Sequence, residues 1–285
     1  MRFKSKNKVI LYALVVMMLA FAAGCGNSSD TKTDSNATNA STADTNASKV
    51  APAELVDLTI SAAASMTDAL NEIKTAYEQA NPNIKLSFNY GGSGALQKQI
   101  EQGAPADLFL SAAVKNMKPL VEQNLIEEGK EKTLLKNELV AVVPADAKAS
   151  VANMGDLSQA DVKKVAIGIP ESVPAGNYAK EALTNAKLWD PLQPKMVQAK
   201  DVRQVLQYVE TGNADAGFVY KTDALTSSKV KIAFNVDPAS YSAVEYPIGI
   251  VKATKHAKEA EDFYNYLQSQ PAMDVFTKYG FTVAE

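Results

Sequence analysis

The stretch 58–112, "LTISAAASMTDALNEIKTAYEQANPNIKLSFNYGGSGALQKQIEQGAPADLFLSA", alternates between strand-like and helix-like patterns. Three short runs rich in branched and aromatic residues are separated by two segments with helical spacing. In the first of these segments, Ala69, Leu70, Ile73 and Tyr77 recur at the intervals of one helix face. Strands that alternate with helices are typical of βαβ units. The stretch therefore predicts an α/β fold with parallel strands.

The same alternation returns in the second half of the chain. Strand-like runs lie at 138–144, 163–170, 229–234 and 244–252, helical patterns follow Pro174 and cover 201–212, and another strand ends at Tyr220. A C-terminal helical region carries Phe263, Tyr264, Leu267 and Phe276. We expect two α/β lobes with mixed, mostly parallel sheets. The runs "ELVAVVP" and "EYPIGIV" are the expected crossings between them.

The N-terminal segment has the pattern of a secretory signal peptide, which we assign to 1–24. Four basic residues within 2–8 precede an uncharged run of 15 residues at 9–23. This run is shorter than the roughly 20 apolar residues that a membrane-spanning helix needs. A basic start, a short apolar core and small residues at its end indicate export.

The expected signal ends in "AAGC", which resembles a bacterial lipobox and predicts lipidation of Cys25. Ala22 stands where such motifs usually carry a branched residue, and an uncleaved anchor with a free cysteine is the alternative. Cys25 is the only cysteine, so disulfides cannot contribute to the fold. In the segment 27–48, 17 of 22 residues are Ser, Thr, Asn or Asp. Such a composition buries too little apolar surface to fold, so 25–54 is expected to be a flexible tether.

Charge and residue counts exclude several classes of function. Removing 1–24 removes four positive charges and no negative ones, so the formal net charge of −3 becomes −7. Nucleic-acid binding requires the opposite sign. Arg203 is the only arginine left, and His256 is the only histidine. Zinc or nucleophilic catalysis therefore lacks its usual residues, and we expect no catalytic residue, no cofactor and no protein-held metal.

Four expected helix starts share one chemistry. "AAAS" ends in Ser65, "GGSG" contains Ser93, "VPAG" contains Ala175, and "AKDVR" opens a helix at Val202. Helix N-termini carry unpaired N–H groups and a partial positive charge, so several of them together form an anion site without a cation. Each feature has an ordinary interpretation: the serines cap helices, and the Pro-Ala-Gly segment is a turn. The ordinary interpretation of Tyr220 is packing at the end of a strand.

Two polar residues near the last helix start also require an interpretation. We expect Asp201 to cap the helix that begins at Val202. Arg203 is expected along the surface of that helix, with direct binding of the anion as the alternative.

Six stretches in order strongly resemble the molybdate-binding proteins of bacterial molybdate ABC transporters, over 55–285. They are "AAASMTDAL", "GGSGALQKQIEQGAPADLFLSA", "VPAGNYAKEAL", "AKDVRQVLQYVETGNADAGFVYKTDAL", "VEYPIGIV" and "FTKYGF". The resemblance implies the two-lobed fold of a periplasmic binding protein of type II, with two hinge crossings. It implies lobe I at 55–138 and 246–285, and lobe II at 139–245.

In that family the oxyanion is bound by two serines, two backbone N–H groups and a tyrosine hydroxyl. The resemblance places these contacts at Ser65, Ser93, Ala175, Val202 and Tyr220. It implies a monomeric lipoprotein outside the cell membrane that binds molybdate or tungstate. The anion would pass to a membrane permease driven by an ATPase.

Selectivity is expected to follow from donors and size. Hydrogenphosphate needs an acceptor for its proton, and sulfate is smaller than molybdate. A receptor for sulfate or phosphate remains an alternative within the binding class. An amino-acid receptor is disfavoured by the scarcity of arginine, and a hydrolase or transferase on this fold is the alternative of a different class.

Overall fold

The computed structural model of the chain describes residues 54–148 and 150–284. The expected signal peptide, Cys25 and all of the expected tether except Glu54 lie outside these residues. Within them, no helix combines the length and the apolarity that crossing a membrane requires.

Helices and strands alternate through most of the described chain. The strands are β1 (Val56–Ala63), β2 (Ile84–Gly91), β3 (Leu108–Leu110), β4 (Ile126–Asn137), β5 (Leu139–Pro144), β6 (Val165–Gly168), β7 (Met196–Ala199), β8 (Ala216–Tyr220), β9 (Val230–Asn235), β10 (Val244–Val251) and β11 (Thr282–Val283). The α-helices are α1 (Thr67–Ala80), α2 (Ser93–Glu101), α3 (Val114–Glu122), α4 (Pro174–Asn185), α5 (Trp189–Leu192), α6 (Val202–Glu210), α7 (Lys221–Leu225), α8 (Ala257–Tyr266) and α9 (Gln270–Lys278). Single 3₁₀ turns lie at Ala64–Met66, Met154–Ser158, Gln193–Lys195 and Pro238–Ser240.

Two sheets organise the described residues. One has six strands in the order β11-β4-β10-β3-β1-β2, and the other has five in the order β7-β6-β8-β5-β9. The expectation of mostly parallel sheets is wrong in this respect, because only four of the nine strand pairings in the described chain are parallel. β10 and β5 are antiparallel to the strands on both sides of them, since each follows a passage from the other sheet. The expected two mixed α/β units are confirmed.

The chain passes between the sheets twice, next to the predicted crossings. Asn137 ends β4 in the six-stranded sheet, and Leu139 begins β5 in the five-stranded sheet. The return passage lies between Asn235, at the end of β9, and Val244, at the start of β10. These passages put the ends of β4 and β10 beside each other, with Val244 opposite Asn137.

The core forms where the apolar pattern predicted it. The predicted face of α1, with Ala69, Leu70, Ile73 and Tyr77, is buried. Burying a Leu or Ile side chain contributes about 1.5–3 kcal/mol, so such a face holds the helix on the sheet.

The strand β4 was not predicted from the sequence. Half of the residues in its run "IEEGKEKTLLKN" are charged, and only Ile126, Leu134 and Leu135 are buried. Pairing with β10 on one side and β11 on the other extends this segment. Strand formation here is set by tertiary pairing and not by local propensity.

Candidate functional site

All five predicted site residues line one small cavity. Ser65 and Ser93 are supplied by elements flanking the six-stranded sheet, and Ala175, Val202 and Tyr220 by the elements of the other sheet. Each of these residues is buried. The rest of the lining is small or apolar: Ala63, Ala64, Gly91, Gly92, Ala112, Val173 and Pro174.

The two serines do not cap helices, contrary to the prediction. Ser65 lies inside the 3₁₀ turn Ala64–Met66, and Ser93 is the first residue of α2, whose N-cap is Gly92. Their hydroxyls have other partners. Ser65 Oγ lies 2.9 Å from Tyr246 Oη, and Ser93 Oγ accepts a hydrogen bond from Ala112 N at 3.0 Å. Because the N–H of Ala112 occupies one lone pair of Ser93, the hydrogen of this hydroxyl is free to donate into the cavity.

Two helix starts bring backbone donors to the cavity wall. Ala175 is the second residue of α4, after Pro174, and Val202 is the first residue of α6. Amide groups at these positions have no acceptor within their own helix. Asp201 caps α6 as predicted, accepting a hydrogen bond from Gln204 N at 2.8 Å. This cap leaves the N–H of Val202 available for an anion.

The hydroxyl of Tyr220 is a buried polar group without a partner in the described part of the chain. Tyr220 ends β8 and is 1% exposed. Burial raises the pKa of this hydroxyl well above its usual value, so the group stays protonated. An unpaired buried donor costs about 1–3 kcal/mol, and such groups are rare in folded proteins. A ligand in the cavity would supply the missing acceptor.

Tyr246 is connected to the site, although its sequence context did not predict this role. It is fully buried on β10 and links Ser65 to Asn137, whose Nδ2 lies 3.2 Å from Tyr246 Oη. Its stretch "VEYPIGIV" was among those that carried the family resemblance. A buried tyrosine at a predicted crossing was the available signal.

Among the described residues, no charged side chain lines the cavity. Arg203 is directed elsewhere: its Nη2 lies 2.6 Å from Asp68 Oδ2, and its Nε lies 2.7 Å from Asp223 Oδ1. Arg203 therefore connects α6 to α1, and the cavity keeps only neutral donors.

Asp223, the second carboxylate that contacts Arg203, has a strongly shifted pKa. Asp223 is fully buried, and burial raises the pKa of its carboxyl to about 6, against the opposing attraction of Arg203. Tyr220 N donates a hydrogen bond to Asp223 Oδ2 at 3.3 Å. The cluster is thus joined to the backbone of a cavity residue.

The two halves of the site are in direct backbone contact. Gly94 N, at the start of α2, donates a hydrogen bond to Ser172 O at 2.9 Å. A Cβ atom on Gly94 would lie 2.8 Å from Ser172 Cα, and one on Gly92 would lie 2.8 Å from Ser172 O and 2.9 Å from Lys200 O. Only glycine permits this approach, which encloses the cavity.

The groups that line the cavity suit an anion. The wall offers hydroxyl and amide donors, and it contains no histidine, cysteine, lysine or carboxylate among the described residues. His256, the N-cap of α8, lines a separate surface groove with Asp107. The site can bind an anion, and no histidine, lysine or carboxylate of the described lining lies beside the serine hydroxyls to activate them.

Comparison with known proteins gives a consistent result. Residues 58–282 match the family described as bacterial extracellular solute-binding protein. The chain is 50% identical over 277 residues to the "Putative ABC transporter substrate-binding lipoprotein YvgL" of Bacillus subtilis (strain 168), covering 97% of this chain and 98% of that protein. It is 40% identical over 228 residues to the molybdate-binding protein ModA of Haemophilus influenzae, covering 79% and 89%.

A solved structure extends the likeness to the fold. It is described as the "substrate binding domain of putative molybdenum ABC transporter from Clostridium difficile". The two chains are 46% identical with a TM-score of 0.62, and the match covers 81% of this chain and 100% of that one.

Proposed function

Because the chain belongs to the bacterial extracellular solute-binding protein family, we propose that it captures molybdate and delivers it to an ABC importer. Tungstate, of the same shape and charge, is the second proposed ligand. The proposal is supported by relatives that are named molybdate-binding proteins. It is supported equally by a cavity whose lining, among the described residues, offers hydroxyl and backbone amide groups and no charged side chain.

The observation that carries the proposal is the unpaired hydroxyl of Tyr220 in the wall of an uncharged cavity. We propose five contacts to the anion: the hydroxyls of Ser65, Ser93 and Tyr220, and the backbone N–H groups of Ala175 and Val202. Hydrogen bonds from neutral donors to a charged acceptor contribute about 1.5–3 kcal/mol each. Several such bonds bind a dianion without a formal counter-charge.

Selectivity follows from the same groups. A protonated oxyanion such as hydrogenphosphate would place its O–H against donors, which leaves polar groups unmatched. Sulfate has no proton but is smaller, so a shell closed at the size of molybdate would reach it through stretched hydrogen bonds.

We propose that the ligand is held by closure of two lobes, lobe I at 55–138 and 246–285 and lobe II at 139–245. Ser65 and Ser93 belong to the first lobe, and the other three contacts to the second. A ligand that touches both lobes favours the closed form by its differential affinity for that form. The Arg203–Asp68 ion pair joins the lobes beside the site and adds to this preference.

Replacing Asp68 with Asn is expected to speed the release of molybdate about fivefold. The change removes the ion pair between the lobes, and pairs at partly exposed positions contribute up to about 1 kcal/mol. Stopped-flow measurement of the dissociation rate tests this.

Glu72→Gln is the matched control for Asp68→Asn. Glu72 lies one turn further along α1 and pairs with Lys278 at 2.7 Å within the same proposed lobe. Its loss should leave the release rate unchanged. Equal rates for Asp68→Asn and wild type would show that the ion pair does not contribute to closure.

We propose that the mature protein begins at a lipidated Cys25 and is anchored outside the cell membrane. Two acyl chains suffice for stable attachment. The relative YvgL is named a lipoprotein, which supports this address. The proposed partners are a membrane permease and its ATPase, and the proposed receptor is a monomer.

The function is tested by calorimetric and thermal-shift titration of residues 50–285 with molybdate, tungstate, sulfate and phosphate. At 1,000 times the dissociation constant, a ligand stabilises the fold by about 4 kcal/mol. Molybdate and tungstate should both raise the unfolding temperature strongly, and sulfate and phosphate should have little effect. A dominant response to sulfate or phosphate would assign the receptor to another oxyanion, and no response to any of the four would refute the proposal.

Tyr220→Phe ties the binding to this cavity. The variant removes the unpaired hydroxyl and keeps the ring that packs on Tyr246 with centroids 5.9 Å apart. We expect molybdate affinity to fall about 10-fold to 100-fold, with little loss of stability in the ligand-free protein. Tyr77→Phe, at a buried ring of the α1 face, is the control and should bind as the wild type does.

A further inference from the structure

A chain of hydrogen bonds leads from the passage between the sheets to the cavity wall. Asn137, the last residue of β4, has its Nδ2 3.2 Å from Tyr246 Oη. Tyr246 Oη lies 2.9 Å from Ser65 Oγ, and Ser65 lines the cavity. Both Tyr246 and Ser65 are buried, so water does not replace these partners.

The direction of the chain is set at Asn137. The backbone N–H of Glu138 donates to Asn137 Oδ1 at 2.9 Å, which identifies that atom as the oxygen of the amide. Asn137 Nδ2 therefore carries two hydrogens and has two acceptors, Thr222 Oγ1 at 2.9 Å and Tyr246 Oη at 3.2 Å. An amide nitrogen donates and does not accept.

The donor–acceptor order at Asn137 also determines the order at Tyr246. Its hydroxyl accepts from Asn137, and its other partner in the described chain is Ser65 Oγ. We infer that the Tyr246 hydrogen is directed to Ser65 Oγ, because a buried donor left without an acceptor would be unfavourable. Burial raises the pKa of the Tyr246 hydroxyl well above its usual value, and the hydrogen is retained. Ser65 thus accepts from Tyr246, and its own hydrogen is left for the cavity.

We propose that Asn137 and Tyr246 determine specificity by fixing Ser65 as a donor toward the ligand. The inference deepens the proposed oxyanion function and rests on it. An unprotonated oxyanion accepts the Ser65 hydrogen. A ligand that presents its own proton leaves the Ser65 hydrogen buried without an acceptor, which disfavours binding.

Replacing Asn137 with Asp should reverse the donor–acceptor direction of these hydrogen bonds, and the two side chains have almost the same shape. A carboxylate at this position accepts from Tyr246, whose oxygen then accepts from Ser65, so Ser65 turns a lone pair toward the ligand. The measured quantity is the ratio of molybdate affinity to hydrogenphosphate affinity. It is determined by calorimetry at mildly alkaline pH, where the new carboxylate is ionised. We expect this ratio to fall at least about tenfold.

A double variant separates the chain from the added negative charge. In Asn137→Asp combined with Tyr246→Phe, the charge remains but no hydroxyl links it to Ser65. The affinity ratio should return toward the wild-type value. Tyr246→Phe alone removes the partner of Ser65 without offering it an acceptor, so we expect a smaller change in the ratio than in Asn137→Asp.

The outcomes distinguish this inference from the proposed function. A fall in the affinity ratio for Asn137→Asp, with recovery in the double variant, supports the proposed role of the hydrogen bonds from Asn137 through Tyr246 to Ser65. An equal loss of affinity for both anions, or an affinity ratio that stays low in the double variant, overturns the inference. The proposed function still stands in that case if the wild type binds molybdate. If the wild type binds neither anion, both proposals fail together.

Discussion

Gly94→Ala is expected to lower molybdate affinity by up to about 100-fold while leaving the ligand-free protein folded. The added methyl group would lie 2.8 Å from Ser172 Cα and 3.0 Å from Ser172 O, which are backbone atoms that no rotamer change can move. Overpacking of this kind costs up to about 3 kcal/mol, a factor of about 100 in affinity. On the proposed closure of the two lobes, the cost falls on the closed form alone, because Gly94 and Ser172 belong to different proposed lobes.

The stability of the ligand-free protein separates failed closure from failed folding. Helix propensity favours Ala over Gly by about 1 kcal/mol, so the open form of Gly94→Ala should be at least as stable as wild type. Calorimetry and thermal unfolding without ligand check both quantities. Wild-type affinity in Gly94→Ala would show that the closed contact is not needed for binding.

The fold was largely predictable because its signals are local. The buried face of α1 and the start of α6 at Val202 follow from spacing and capping within a few residues. The strand β4 was missed because its charged run becomes a strand only by pairing with β10 and β11. The share of antiparallel pairing was missed for a related reason: the directions of β10 and β5 within their sheets depend on where the chain crosses between the sheets.

The site was predictable in its residues but not in its connections. The structure places Ser65, Ser93, Ala175, Val202 and Tyr220 around one cavity, as the joint pattern of helix starts and the family resemblance predicted. The partners of the two serines were not predictable, because they come from other segments of the chain.

Contacts with large sequence separation left no local signal. Tyr246 lies 181 residues from Ser65, and the partners of Arg203 lie on α1 and α7. The close approach of Gly94 to Ser172 likewise depends on tertiary packing.

Val202→Pro is expected to weaken molybdate binding about 10-fold to 100-fold by deleting one backbone donor. Val202 is the first residue of α6, a position where proline is favoured because its missing N–H is not used by the helix. Asp201, the preceding residue, has φ −157° and ψ 170°, in the extended region that a following proline requires. The helix should therefore form, and only the hydrogen bond to the anion is lost, at about 1.5–3 kcal/mol.

Two controls assign this loss to the N–H group. Val202→Ala trims the side chain and keeps the donor, so its molybdate affinity should stay within about threefold of wild type. Val114→Pro places the same residue at the first position of α3, after an extended Ala113, away from the cavity. Calorimetric titration should find full binding in both controls and weak binding in Val202→Pro alone. A site that uses neutral donors has no other charge to compensate, so an unchanged affinity in Val202→Pro would exclude this amide from the shell around the anion.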